Sequence, residues 1–286
     1  MKVGPTGAVN LFNAAGRTDI VADAAGWYGK DAASGTRFTG VTPARIVDTR
    51  FGTGAPTARL TQGRTLPVQV TGRGGVPATG VSAVILNVTV VDPTAPEGYL
   101  TAWPAGEAQP YASNLNFYAR QTVPNVVVAK VRAGGVVNIF NSAGSIDVVV
   151  DVTGWYGAAG VSAGSGFSGV PPARILDTRF GTGALLRPIE SGATLTLQVT
   201  GRGGVPATGV AAVALNITAV NPTSTSFVTA WPAGVVRPLA SNLNLTANWT
   251  VANMVFVKVG ANGAVDLYNA AGRTDVIVDV AGWYAG

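Results

Sequence analysis

The chain contains no cysteine and no histidine. The first absence excludes disulfides, thiol nucleophiles and thiolate metal sites. The second removes the commonest general base, and with both missing the usual zinc sets and the Ser-His-Asp and Cys-His constellations go too. Charge is also scarce, with Asp, Glu, Lys and Arg making up 12% of residues against about 25% in ordinary soluble domains. The net charge of +5 reflects 14 acids rather than an excess of the 19 bases. No Lys or Arg run is present, so neither a nucleic-acid nor a membrane-surface footprint is expected. No apolar stretch approaches the roughly 18 residues that span a bilayer. The opening Met1-Lys2-Val3-Gly4 lacks the apolar core of a secretory leader. Nothing in this inventory calls for a cofactor or supports an enzyme.

What is present is a repeat. Asn13, Asn141 and Asn269 share one local phrase, as do Asp23, Asp151 and Asp279, then Trp27, Trp155 and Trp283, always at a spacing of 128 residues. Residues 38–157 and 167–286 are two full copies, while residues 1–29 match only the last quarter of one. Solenoid units run about 20 to 50 residues, so a period this long marks whole domains, each large enough for its own core. A chain that begins inside a repeat reads as a mature or excised piece.

Within copy one, short apolar stretches alternate with turn phrases such as GRGGVP, DPTAPEG, PAGEAQP, RAGG and NSAG. The stretches are rich in Val, Ile, Thr and aromatics, and none has helical periodicity. The spacing predicts about eight antiparallel strands per copy, so the expected fold is all-β. It comprises two tandem Greek-key-like β-sandwiches with an extra N-terminal β-hairpin. Val126–Val131 and Asp147–Val152 read as strands buried on both faces or central in a sheet. The closing phrase GVVNIFNSAGSIDVVVDVTGWYG reads as a hairpin around Asn-Ser-Ala-Gly. Residues 1–29 hold only its counterpart, and a lone hairpin is marginal in water. Three placements follow: a cap on copy one, a unit cut differently, or a strand pair donated to a neighbouring chain. The last would give an open-ended filament.

The charged residues that recur do so in P-A-R-[IV]-[VL]-D-T-R. An Arg or Asp turned inward from such a strand needs a partner, because an unpaired buried charge is costly. Arg45, Asp48 and Arg50 are therefore expected to form a clamp with Asp147 or Asp151, and Arg174, Asp177 and Arg179 with Asp275 or Asp279. The glycine-rich loop 71–81 lacks the Gly-Lys-Ser/Thr ending of a phosphate loop and reads as a wide turn. Trp103 and Trp231, beside Tyr99 and Phe227 in T-A-W-P-A-G, are candidate platforms for sugar stacking at the lip of a turn. Asn13, Asp23, Trp27 and Tyr28 mark the surplus segment as the candidate for self-assembly.

Taken together, the phrases PARILDTR, LN[VI]T, AWPAG, ASNLN and DVxGWY resemble a repeat domain of secreted and surface proteins of Actinobacteria and related bacteria. The resemblance covers nearly the whole chain. It implies extracellular or cell-surface placement and attachment to longer proteins, and it implies no activity. The expected function is a non-enzymatic structural or adhesive surface module, possible partners being further copies of itself. The alternative is a lectin-like module binding cell-wall or environmental polysaccharide.

Overall fold

The computed structural model describes residues 6–20, 22–24, 26–28, 36–157 and 166–286. Repeat 1 has nine strands: β1 (Arg37–Asp48), β2 (Leu60–Thr61), β3 (Thr65–Gln69), β4 (Val81–Val91), β5 (Glu97–Pro104), β6 (Leu115–Tyr118), β7 (Thr122–Lys130), β8 (Val136–Asn141) and β9 (Ser145–Gly157). Repeat 2 has eight: β10 (Phe167–Asp177), β11 (Thr194–Gln198), β12 (Val210–Val220), β13 (Ser226–Pro232), β14 (Leu243–Leu245), β15 (Val251–Lys258), β16 (Ala264–Asn269) and β17 (Asp275–Ala285). Each repeat is two antiparallel sheets, β1-β9-β4-β7 facing β3-β8-β5-β6 and β10-β17-β12-β15 facing β11-β16-β13-β14, with short β2 added to β9. Inward side chains of both sheets fill one core per repeat. In repeat 1, Val84, Leu86, Val88, Val148, Val150 and Val152 meet Val68, Leu100, Phe117, Val137 and Ile139, all fully or nearly fully buried. The all-β, two-sandwich expectation holds.

Two expectations change. The closing phrase is not a hairpin. β8 pairs with β3 and β5, whereas β9 pairs with β1 and β4 in the opposite sheet. The Asn-Ser-Ala-Gly segment therefore carries the chain across the core as an arch. Asn141, itself buried, holds it there: its Nδ2 donates to the carbonyls of Leu60 (3.0 Å) and Gly144 (3.1 Å). Second, β7 is an edge strand. Its continuous apolar run is explained by its outward residues Val126 and Val128, which pack at the contact between repeats rather than under another strand of the sheet.

The arch explains what becomes of the surplus segment. The arch's two strands never bond to each other, so without a sheet on either side they have no ladder to join. Among the described residues of 6–28 the turn is present, with Asn13 Nδ2 donating to the Gly16 carbonyl at 3.1 Å, but no strand is. The expected N-terminal hairpin is thus an unladdered arch, and residues 1–5, 21, 25 and 29 of it lie outside the described part. The glycine-rich loop is a turn packed on the core. Gly74 has φ of +57°, and a Cβ on it would come within 2.5 Å of Val152 Cγ1, so the loop needs glycine there for two reasons.

Candidate functional site

The Arg and Asp residues of each repeat form one cluster at the end of β1 or β10. Arg45 reaches across the ladder to Asp151, Nε to Oδ1 at 3.0 Å and Nη2 to Oδ2 at 3.2 Å, and touches Asp48 through Nη1 at 3.3 Å. Arg50 pairs instead with Asp48, Nε to Oδ1 at 2.9 Å and Nη2 to Oδ2 at 2.7 Å, and its backbone N–H donates to the same carboxylate. Asp147 accepts from Thr49 Oγ1 at 2.8 Å and lies 3.8 Å from Arg59. Repeat 2 reproduces the set: Arg174 on Asp279 and Asp177, Arg179 on Asp177, Thr178 on Asp275.

The environments differ between copies. Burial pushes Asp48 up, yet the bonds from Arg50 and Arg45 outweigh it and hold the carboxyl below its usual range. Arg179 does the same for Asp177. Burial raises Asp151, which is covered by repeat 2. Each carboxylate of the cluster thus accepts from a guanidinium or a hydroxyl of its own repeat.

The indoles proposed for sugar stacking are placed otherwise. Trp103 and Trp231 are buried in β5 and β13, and their Nε1–H groups donate to the Glu107 and Val235 carbonyls at 3.1 and 3.0 Å. Neither presents a ring face to solvent. The reason is that these residues belong to the strand itself and not to the turn after it. Tyr99 is exposed and Phe227 half-buried, against Phe140 and Tyr268 respectively, with ring centroids 6.4 and 6.1 Å apart. Tyr99 and Phe227 alone, without the indoles, do not make the platform. Among the described residues no group of three acidic side chains is arranged to hold a metal ion.

The residues that converge from different repeats are tyrosines. Tyr156 and Tyr284 end β9 and β17, and their hydroxyls are 2.7 Å apart. Tyr28, from the surplus arch, bonds to Tyr284 at 2.9 Å and also to Tyr156. Three hydroxyls, one from each copy of Gly-Trp-Tyr, thus form a closed triangle. Phe38 packs on Tyr284 (4.2 Å) and Tyr156 (5.3 Å), and Phe167 on Tyr28 (4.6 Å) and Tyr284 (5.1 Å). Beside them, Asn87 of repeat 1 donates to the Ser241 carbonyl at 2.6 Å and accepts from Asn253 at 3.1 Å, both in repeat 2. Of the candidates in the surplus arch, Tyr28 lies at this junction, Asn13 makes the turn, and Asp23 and Trp27 are exposed.

Residues Tyr156, Tyr284, Phe38 and Phe167 are not among the sequence candidates. The signal was available: neighbours along a strand point to opposite faces, so a Tyr following a core Trp such as Trp155 must face away from its own core. Burial pushes the Tyr156 and Tyr284 hydroxyls far above the ordinary tyrosine range. Their neutral form is therefore favoured in the folded chain, and the stability it confers is full below about pH 10 and declines above it. The decline is expected to be about 1.4 kcal/mol per pH unit for each of the two. Phenolate absorbance should hold back two hydroxyls until circular dichroism reports unfolding; complete ionisation in a natively folded chain would exclude the closed junction.

No family model matches this chain, and no curated protein does. Among solved structures, similarity extends to the STIV MCP, with TM-score 0.24, 7% identity and 87% of this chain covering 96% of that one. The tandem CBM22-1-CBM22-2 domain of Paenibacillus barcinonensis Xyn10C gives TM-score 0.22, 9% identity and coverage of 86% and 99%. Allantoicase gives 0.20, 8%, 86% and 91%. At such scores these likenesses carry no argument, and the fold rests on the chain's own sheets.

Proposed function

We propose that the chain is a non-enzymatic structural module of an extracellular surface protein, built to join sandwich repeats into one rigid body. The observation that carries this reading is the tyrosine triangle, in which identical positions of three copies are spent on one another. The rest of the recurring chemistry supports it. The Arg-Asp clusters are consumed internally, and the amides of Asn87 and Asn253 bridge the repeats. The polysaccharide alternative loses its indole pair to burial and has no specific observation in its favour.

Small-angle scattering and calorimetry on the intact chain test the proposal. A rigid module gives a compact scattering profile and a single cooperative transition for both repeats. Two independent transitions with the profile of a flexibly linked pair would overturn it, since domains joined by a weak interface move separately.

A further inference from the structure

In complete repeats the strands of the arch have separate neighbours, β3 and β5 for β8, β1 and β4 for β9. The described residues of 6–28 keep the arch turn and the side chains that face inward in a complete repeat, but have neither set. Val9, Leu11 and Ile20 are 48%, 61% and 59% exposed, whereas their counterparts Val137, Ile139 and Val148 are each 0% exposed. Trp27, at 84%, corresponds to core Trp155 at 5%. A row of large apolar side chains exposed in this way marks a binding surface.

Tyr28 nevertheless stands where a third repeat would place it. The step from Phe38 of repeat 1 to Tyr284 of repeat 2 recurs as the step from Phe167 of repeat 2 to Tyr28. Taken once more, the same step sets a phenyl of a third repeat on Tyr156 and closes a ring of three. The flanking faces match. On repeat 1, Asn87 and Asp151 are covered by repeat 2; on repeat 2, the equivalent Asn216 is only half-buried and Asp279 remains 25% exposed. Conversely, Asn253 is buried against repeat 1, while its counterpart Asn125 in repeat 1 is only half-buried. The module thus ends in two complementary half-interfaces, with Tyr28 between them.

We infer that residues 6–28 are the closing arch of a third sandwich, whose remainder is the head of another copy of this repeat. That head is equivalent to residues 38–131 and lacks an arch of its own. A second copy of this chain does not fit: its heads are already closed by β8-β9 and β16-β17, and it brings one more surplus arch. Recognition is by main-chain ladder formation on both sides of the arch together with burial of alternate side chains. The inference supplies the partner for the joining role proposed above and rests on that reading.

The test adds to the full chain a polypeptide of residues 167–262, which is a head without its arch. A one-to-one complex by sedimentation is expected, with hydrogen exchange at residues 8–24 slowed on the order of 10³-fold. Leu11→Asp with Ile20→Asp should abolish both. If the free head proves insoluble, the same segment is attached after Gly286 through a copy of residues 158–166, which raises its effective concentration to the millimolar range. Protection of residues 8–24 that vanishes in the double variant then supports the inference. Unchanged exchange in the tethered form, or a complex that forms equally with a chain lacking residues 1–29, overturns it. Either failure, with calorimetry still showing one transition for repeats 1 and 2, leaves the rigid-module reading standing.

Discussion

Replacing Tyr284 with alanine is expected to cost about 3–5 kcal/mol, the range for truncating a large, fully buried aromatic, and to split thermal unfolding into two transitions. Tyr284 is 0% exposed and touches Phe38, Phe167, Phe256 and Tyr156, so its ring is shared by both repeats. Tyr284→Phe keeps that packing and removes only the hydroxyl bonds. It is expected to cost about 1 kcal/mol and to retain one transition. Calorimetry of the two variants separates packing from hydrogen bonding. Two transitions in Tyr284→Phe would mean that the hydroxyl triangle, and not the ring cluster, couples the repeats; one transition in Tyr284→Ala would mean that neither does.

A second large effect should appear in one repeat and not in the other. Arg45→Met leaves Asp151, 1% exposed, without its bidentate partner, and removing one member of a buried pair costs about 3–5 kcal/mol. Arg174→Met is the same chemical change at the equivalent position, but Asp279 is 25% exposed and Arg174 is 46% exposed. Solvent screens that pair, and the cost is expected to be about 1 kcal/mol or less. Urea denaturation measures both. Equal costs would contradict the cover that repeat 2 places over repeat 1.

The strands were legible because Gly- and Pro-rich turns punctuate Val- and Thr-rich runs, and a carboxylate partner for Arg45, Asp147 or Asp151, was legible because buried charges must be matched. Arg50 was not, since alternation ends where β1 ends at Asp48 and the chain then turns back on itself. In sequence the arch resembles a hairpin, because Asn-Ser-Ala-Gly looks alike in both. Only the partner strands decide between them, and these lie far off in sequence. The tyrosine junction escaped for a related reason. A residue facing away from its own core looks like a surface residue until the neighbouring repeat is in place.

The arch also sets the order in which a repeat can be built. Arg37 pairs with Gly157 and Phe167 with Tyr284, so the first strand of each sandwich waits for the last to leave the ribosome. Until then the nascent chain exposes open sheet edges, and pairing of such high contact order is slow. Synthesis in this order gives the arch at residues 6–28 an early role. It is made before the head of repeat 1, so an arch of the same sequence pattern is already present while that head waits for β8-β9.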